Sequence, residues 1–197
     1  MEKKWTEYSD DEKFAITEIA KCKPNMHYIT LTSDELNKID EFAKKKAIAK
    51  LGEAHHMCDG GQEYKRNYTG MMGEVALEKF FGAPFVDWSV GTSDKYNVAD
   101  LRPLGYNVGI KTVEMGKFPL VRRDAYRPEI ICIKRNENTV IICGLATTDV
   151  LIHNQDDKFV RSPNALRRGE KSAFVGFDKL VKINSLDDLK AYKRRYR

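Results

Sequence analysis

The sequence predicts a mixed α/β (α+β) fold built around a central mixed sheet. Two amphipathic segments with helix start and stop signals come first, and several strand-like segments follow them. Short alternating helix-like and strand-like pieces complete the chain. The 197 residues, of which 42% are hydrophobic, suit one domain and leave little room for a second domain with its own core.

The two predicted helices have clear ends. Thr32 to Glu35 form a capping box, and apolar residues continue at helical spacing at Leu36, Ile39, Phe42, Ala43 and Ala47. We expect this helix to run to about residue 56, because Asp59-Gly60-Gly61 ends the pattern. The second helix is expected over residues 68–81, since Gly82 and Pro84 stop it.

Strands are expected mainly between the second helix and residue 143, over residues 85–90, 97–102, 106–113, 129–134 and 139–143. The turn at 103–105 makes the second and third of these strands antiparallel neighbours, and the turn at 135–138 makes a hairpin of the last two. The remaining chain predicts a short helix, two short strands and a final helix, over residues 147–153, 174–177, 180–183 and from Ser185.

Residues 1–30 are polar and weakly patterned and are expected to form an appended N-terminal arm, whereas residues 31–197 are expected to form a single domain. No run of 18 apolar residues exists, so we expect no membrane span, and the first residues do not resemble a secretory signal. The four cysteines are far apart and form no CxxC pair, which disfavours a zinc ribbon and fits a reducing compartment. A cytoplasmic protein is expected.

The net charge of +5 is modest, but the basic residues occur in clusters, several of them near tyrosines. Such clusters suit a polyanion such as nucleic acid. A solvated surface is the alternative for any single cluster, because long charged side chains are mostly exposed.

One carboxylate lies on the apolar side of the second helix. Glu74 precedes Leu77 by three residues and Phe81 by seven, so it shares their stripe. A carboxylate facing a core is unfavourable unless something pairs with it. Glu74 is therefore a candidate functional residue, and a structural ion pair with Lys79 or Lys65 is the alternative.

Asp100 and Lys111 lie on consecutive predicted strands, among apolar neighbours. Strand alternation places Gly109 and Lys111 on one face, opposite Ile110. Two acids and a lysine suit metal-assisted phosphodiester hydrolysis, because carboxylates hold a hard cation and a lysine can act on the attacking water. The alternatives are a turn role for Asp100 and an edge-strand role for Lys111.

This ordered set resembles the PD-(D/E)XK, or restriction-endonuclease-like, nuclease superfamily over residues 68–145. The resemblance implies a mixed central sheet flanked by helices, a DNA substrate, and Mg²⁺ or Mn²⁺ as cofactor. It implies that Glu74 is the acid of the first core helix, Asp100 the metal-binding aspartate and Lys111 the catalytic lysine. The backbone carbonyl of Ile110 is a further metal ligand that it implies.

Gly109 departs from the family pattern, which has Glu, Asp or Gln two residues before the lysine. Three interpretations remain open: another carboxylate substitutes, the enzyme is weakened, or the protein is an inactive relative that binds nucleic acid or inhibits a protein. Glu74 is the best-placed substitute, and Glu78 and Glu114 are lesser candidates. A regular strand points Glu114 away from the Lys111 face.

Basic residues near the predicted catalytic strand are candidates for contacting a phosphate backbone. They are Lys117, Arg122 and Arg123 in the following loop, and Arg167 and Arg168 in a later polar segment. DNA is the expected partner, a homodimer is compatible with the sequence, and a protein partner is expected for an inactive relative. By analogy, a phage, a mobile element or a restriction pathway suits a nuclease of this size.

Overall fold

The computed structural model describes residues 4–49, 63–90 and 98–193. These residues form five α-helices: α1 (Asp10–Ala20), α2 (Ser33–Ala49), α3 (Glu63–Phe81), α4 (Thr148–His153) and α5 (Pro163–Arg168). They form seven strands: β1 (His27–Thr30), β2 (Gly109–Glu114), β3 (Leu120–Arg122), β4 (Glu129–Lys134), β5 (Thr139–Ala146), β6 (Gln155–Asp156) and β7 (Lys171–Phe174). Within these ranges, every helix is too short or too polar to cross a membrane.

The main sheet has four strands in the order β1-β5-β4-β2. The pairs β1–β5 and β4–β5 are antiparallel, whereas β2 pairs with β4 in parallel, from Gly109 beside Glu129 to Glu114 beside Lys134. Strand β2 therefore lies at one edge of a mixed sheet. A second, smaller sheet has the order β3-β7-β6, and both of its strand pairs are antiparallel.

The main sheet is the middle layer of the molecule. Ile130 and Cys132 of β4 pack into a core shared with α2 and α3. The alternate residues Ile131 and Ile133 pack into a second core, shared with α1 and β7. Because side chains of a strand alternate between faces, β4 is apolar on both sides, and the predicted α/β class with a central mixed sheet is confirmed.

Several predicted elements are confirmed. The capping box begins α2, since Thr32 N–H donates to Glu35 at 2.6 Å and Glu35 N–H donates to Thr32 Oγ1 at 3.2 Å. The part of this predicted helix beyond residue 49 lies outside the described residues. Helix α3 ends at Phe81 as predicted but begins earlier, at Glu63. The β4–β5 hairpin and helix α4 form where they were expected.

The strand predicted at 85–90 is wrong. Glu78 accepts hydrogen bonds from the backbone N–H groups of Phe85 at 2.9 Å and Val86 at 2.8 Å. A side chain thus takes the donors that a neighbouring strand would need. This contact also gives Glu78 a structural role at the end of α3.

The antiparallel pair predicted from 97–102 and 106–113 is also wrong. Residues 98–101 form turns, with residue 97 outside the described part, and β2 begins only at Gly109. The partner of β2 is β4, and the two run parallel.

Near the C terminus, three predictions need correction. The strand expected at 174–177 is β7, which ends at Phe174. Only Val181 of the segment 180–183 forms a bridge, with Leu145. The final helix is a 3-10 helix, Leu186–Tyr192, capped by Ser185 as the sequence indicates.

Residues 10–30 belong to the fold, although the sequence favours an appended arm. Ala15 and Ile19 of α1 are buried in the second core. Strand β1 pairs with β5 from His27 to Thr30 and forms the other edge of the main sheet. The segment looks polar in sequence because β1 is short and half-exposed.

Helix α3 crosses β2 at a point of very close contact. A side-chain carbon at Gly73 would overlap the hydroxyl oxygen of Thr112. Glycine therefore allows the helix to lie directly on the edge strand. The next residue along α3 is Glu74, which interacts with Asp100.

We expect Gly73→Ala to lower the free energy of unfolding by about 1–3 kcal/mol, because the new methyl group forces α3 off β2. Gly70→Ala is the matched control on the same helix, since a carbon there meets nothing within 4 Å. It should be neutral or stabilising by up to about 1 kcal/mol. Urea denaturation measures both, and equal effects would contradict the close crossing.

Candidate active site

Asp100 reaches strand β2 from a turn. Leu101 N–H donates to the Val108 carbonyl at 3.1 Å, and Tyr106 N–H donates back to the Leu101 carbonyl at 3.2 Å. The turn holds the Asp100 carboxylate against β2, where its Oδ2 accepts the N–H of Ile110 at 2.6 Å. Asp100 thus reaches β2 as predicted, but it does so from a turn and not from a neighbouring strand.

The backbone of Ile110 faces the open edge of the sheet. Its N–H donates to Asp100, whereas Gly109 N–H donates to the Pro128 carbonyl beside β4. In an extended strand the N–H and C=O of one residue point to the same side. The Ile110 carbonyl therefore shares the edge with the Asp100 carboxylate, as a shared metal site requires.

Glu129 lies next to Gly109 and was missed in the sequence. It is the first residue of β4, pairs with Gly109 in the parallel register, and is only 8% exposed. A side-chain carbon on Gly109 would lie 3.4 Å from Glu129 Cγ and 3.5 Å from Asp100 Oδ2. Glu129 thus places a carboxylate beside the position where the family pattern has one.

Lys111 shares the face of Glu129, with its Nζ 3.9 Å from Oε1 of that carboxylate. The other oxygen, Oε2, is buried and has no hydrogen-bond partner among the described residues. A buried carboxylate oxygen without a partner is unfavourable. It is available to a ligand that carries positive charge.

Glu74 approaches Asp100 from the helix side of the sheet. Burial raises the pKa of Glu74 to about 8, and the negative charge of Asp100 adds to this effect. The alternative structural partners are engaged elsewhere: Lys79 pairs with Glu35 at 3.1 Å and Lys65 with Glu114 at 3.1 Å. Glu74 therefore interacts mainly with Asp100, while the positive charge of Lys46 partly offsets the rise in its pKa.

Burial also raises the pKa values of Asp100 and Glu129. The positive charges of Lys111 and Arg127 oppose this effect at both carboxyls. The negative charge of Asp100 acts on both Glu74 and Glu129, so that like charges disfavour ionisation of each pair. A divalent cation would stabilise their ionised forms.

Neither lesser candidate belongs with these three carboxylates. Glu78 binds the backbone N–H groups after α3, and Glu114 pairs with Lys65 at 3.1 Å and with Lys117 at 2.6 Å. In the described part of the chain, no three Asp, Glu, His or Cys side chains are gathered as a ready-made metal cage. Metal binding would therefore draw the carboxylates of Glu74, Asp100 and Glu129 closer together.

A cleft of about 980 Å³ follows the open edge of β2. The first half of α3 forms one wall, and β3, β7 and the segment around α5 form the other. The charged residues of its described lining are mostly basic: besides Lys111 it contains Lys65, Arg66, Lys117, Arg161, Arg168 and Lys171. The acidic residues in it are Asp11, Glu114 and Glu170. The excess of cations makes the cleft attractive to a polyanion.

Two of the five predicted nucleic-acid-binding residues, Lys117 and Arg168, line this cleft. The other three make hydrogen bonds or ion pairs within the protein. Arg122 pairs with Asp124 at 3.0 Å, Arg123 donates to the Gly169 carbonyl and to Asp157, and Arg167 donates to Asn164.

The sequence did not single out Arg161 or Lys171, and only the fold brings them to the cleft. Lys171 lies there because β7 pairs with β3. Burial lowers the pKa of Lys171, and the positive charges of Lys111 and Arg66 lower it further. Lys171 therefore adds its charge close to the predicted catalytic lysine.

No protein-family model matches the chain, and neither the curated proteins nor the solved structures contain a match. The geometry and charge of the site are therefore the basis for assigning a function.

We expect the metal-free protein to lose stability as pH rises from about 4.5 to about 8, because folded Glu74 keeps a proton that the unfolded chain releases. The Glu74 contribution is complete below the unfolded pKa and is lost as pH passes the folded pKa. Glu74→Gln should remove this dependence and raise the free energy of unfolding at pH 9 by roughly 1–4 kcal/mol. Urea denaturation in EDTA at several pH values measures it.

Glu114→Gln is the control of opposite sign. Burial acts to raise the pKa of Glu114, but its bonds with Lys117 and Lys65 leave it below the ordinary value. This variant should lose stability at neutral and high pH relative to the wild type. Identical pH profiles for wild type and Glu74→Gln would contradict the buried, protonated state of Glu74.

Proposed function

We propose that the protein is a metal-dependent nuclease of the restriction-endonuclease-like, PD-(D/E)XK type, which hydrolyses phosphodiester bonds in DNA. One observation carries the proposal: Glu129 stands beside Gly109, next to Asp100 and Lys111, with a buried oxygen that has no hydrogen-bond partner among the described residues. The carboxylate that the strand of Lys111 lacks is thus supplied by the neighbouring strand.

The residues present fit a hard divalent cation such as Mg²⁺ or Mn²⁺. Asp100 is oriented by its bond from Ile110 N–H, Glu129 offers Oε2, and the Ile110 carbonyl lies on the same edge. All of these are oxygen donors, which such cations prefer. Glu74, beside Asp100, provides a third carboxylate. When bound, the metal ion would lower the pKa of a coordinated water and polarise a phosphate oxygen.

Lys111 is placed to act on the phosphate and on the attacking water. Its side chain is 34% exposed and lines the cleft, so a substrate can reach it. Its ammonium group can orient the water by hydrogen bonding and stabilise the negative charge that develops on the phosphoryl oxygens. Lys171 strengthens the positive field there and helps to position the phosphate.

The arrangement of elements gives further support. Helix α3 carries Glu74, a turn carries Asp100, β2 carries Lys111, and β4, β5 and β1 complete the main sheet. This order agrees with the resemblance on which the expectation of a restriction-endonuclease-like fold rests.

The test is incubation with plasmid and with single-stranded DNA in Mg²⁺ or Mn²⁺, with Asp100→Ala and Lys111→Ala in parallel. We expect metal-dependent cleavage by the wild type and its loss in both variants. If neither metal supports cleavage while all proteins are folded and bind DNA equally, the nuclease proposal is wrong. The inactive relative that binds nucleic acid or inhibits a protein would then be favoured.

A further inference from the structure

We infer that the cleft beside β2 binds a single strand of nucleic acid and stacks one base on Phe159. The inference rests on the proposed function, because it specifies which form of nucleic acid reaches that site. It is carried by an aromatic cluster in a basic cleft and by the open backbone edge of β2.

The aromatic cluster lies where α1 meets the second sheet. Phe159 and Phe118 both line the cleft. The Phe159 ring stacks on Phe14, with centroids 5.2 Å apart and planes 16° apart, and it packs against Phe118 at 4.7 Å. Phe159 is only partly buried. Two other rings thus hold Phe159 in place, so that ordering it on binding costs little entropy. The exposed Lys158 also lies over this ring, with Nζ 5.6 Å from the centroid.

Basic side chains lie along the same cleft on the way to Lys111. Arg161 lies two residues after Phe159, Lys117 precedes Phe118, and Lys171 lines the cleft from β7. Arg161 pairs with Asp11 at 3.1 Å on the exposed surface, a contact that solvent weakens. Phosphates bound along these cations would place an adjacent base within reach of the Phe159 ring.

The edge of β2 offers further donors to the backbone of a bound strand. Gly109 N–H and Met115 N–H donate toward the β4 side, to the carbonyls of Pro128 and Lys134 at 2.9 Å. Because the direction alternates along a parallel strand, the N–H groups of Thr112 and Glu114 face the cleft. Backbone donors of this kind bind phosphates without regard to sequence.

A duplex does not satisfy this arrangement. Its bases are stacked on one another in the interior, so their faces are not available to a phenyl ring. A single strand offers both the phosphates and the unstacked faces, and base–aromatic stacking tolerates any base. A cleft lined by basic side chains and by the Phe159 ring therefore favours a single strand over a duplex.

The experiment measures binding by fluorescence anisotropy in EDTA, with a labelled oligonucleotide alone and annealed to its complement. The wild type should bind the single strand more tightly than the duplex. Phe159→Leu keeps an apolar side chain against Phe14 but loses the ring, and it should weaken single-strand binding about 5- to 100-fold. Phe159→Trp should retain the affinity, and duplex binding should not change in either variant.

Tyr28→Ala is the matched control. Tyr28 is 52% exposed, and Arg135 Cζ lies 5.6 Å from the centroid of its ring. Tyr28 does not line the cleft. This variant should bind as the wild type does. Thermal melting in parallel shows that the Phe159 variants are folded.

Equal affinity of the wild type and a folded Phe159→Leu variant for the single strand would overturn the inference, as would equal wild-type affinity for duplex and single strand. Failure of the two proposals can be told apart. Phe159-dependent binding without cleavage in Mg²⁺ or Mn²⁺ removes the nuclease and keeps the single-strand site. Cleavage that does not depend on Phe159 removes the single-strand site and keeps the nuclease.

Discussion

Glu129→Gln is expected to reduce metal-dependent cleavage at least about 100-fold, with little loss of stability. The substitution keeps the shape of the side chain but removes the charge that faces Asp100 and Lys111. Glu129 is 8% exposed and its Oε2 has no hydrogen-bond partner in the described structure, so few other contacts are lost. The measurement is the single-turnover cleavage rate as a function of Mg²⁺ concentration, in which the variant should also require more metal ion.

Glu114→Gln is the control for this prediction. Glu114 lines the cleft beside β2, where it pairs with Lys65 and Lys117. Its loss should therefore change the cleavage rate only a few-fold. If Glu129→Gln cleaves as fast as the wild type while Asp100→Ala is inactive, Glu129 does not replace the acid missing at Gly109.

A relocated carboxylate gives an independent check on the same role. A side-chain carbon at Gly109 would lie 3.1 Å from Arg127 Nε and 3.4 Å from Glu129 Cγ, so a carboxylate there would stand beside that of Glu129. The double variant Gly109→Asp with Glu129→Ala should therefore recover part of the activity that Glu129→Ala alone loses. Gly109→Asp alone should be poorly active, because it adds a further carboxylate between those of Asp100 and Glu129.

The sequence alone was sufficient to select Asp100 and Lys111, because charged groups among apolar neighbours on a predicted sheet need a reason to be there. Glu129 could not be selected in the same way. Its position beside Gly109 depends on the parallel pairing of β2 with β4. These two strands are not consecutive, because β3 lies between them along the chain. The available signal was a glutamate opening the apolar run Glu129–Lys134, directly after Arg127 and Pro128.

The incorrect strand predictions share a physical cause. The apolar residues Phe85, Ala99 and Leu101 are buried. The backbone N–H of Phe85, however, donates to a side chain, and the backbone groups of Ala99 and Leu101 bond within a turn. Hydrophobic patterning reports burial, whereas a strand also needs a partner backbone.

The basic residues show the same limit. Arg122 and Arg123 follow β2 in sequence, yet the fold pairs them with Asp124 and Asp157 and keeps them out of the cleft lining. The residues that line the cleft instead come from helix α3 and from the region of α5 and β7. Position along the chain does not reveal which cations a fold leaves facing a cleft.

Lys111→Met is expected to reduce cleavage about 100- to 10,000-fold while metal binding is retained. The ammonium group acts on the water and the phosphate, whereas the carboxylates hold the cation. Removing a positive charge near Asp100 and Glu129 should leave metal affinity unchanged or increase it, since that charge competes with the cation. Calorimetric titration with Mn²⁺, together with single-turnover cleavage, separates these two effects.

Lys171→Met is the matched control, because Lys171 lines the same cleft and interacts with Lys111 and Glu129 but lies on β7. The variant should bind DNA more weakly, and its affinity should depend less on salt. Its cleavage rate at saturating DNA should stay within about tenfold of the wild-type rate. If Lys111→Met loses Mn²⁺ affinity as strongly as Glu129→Gln, Lys111 only holds the carboxylates in place. Loss of the cleavage step alone in Lys111→Met is therefore the result that would distinguish a catalytic lysine from a structural one.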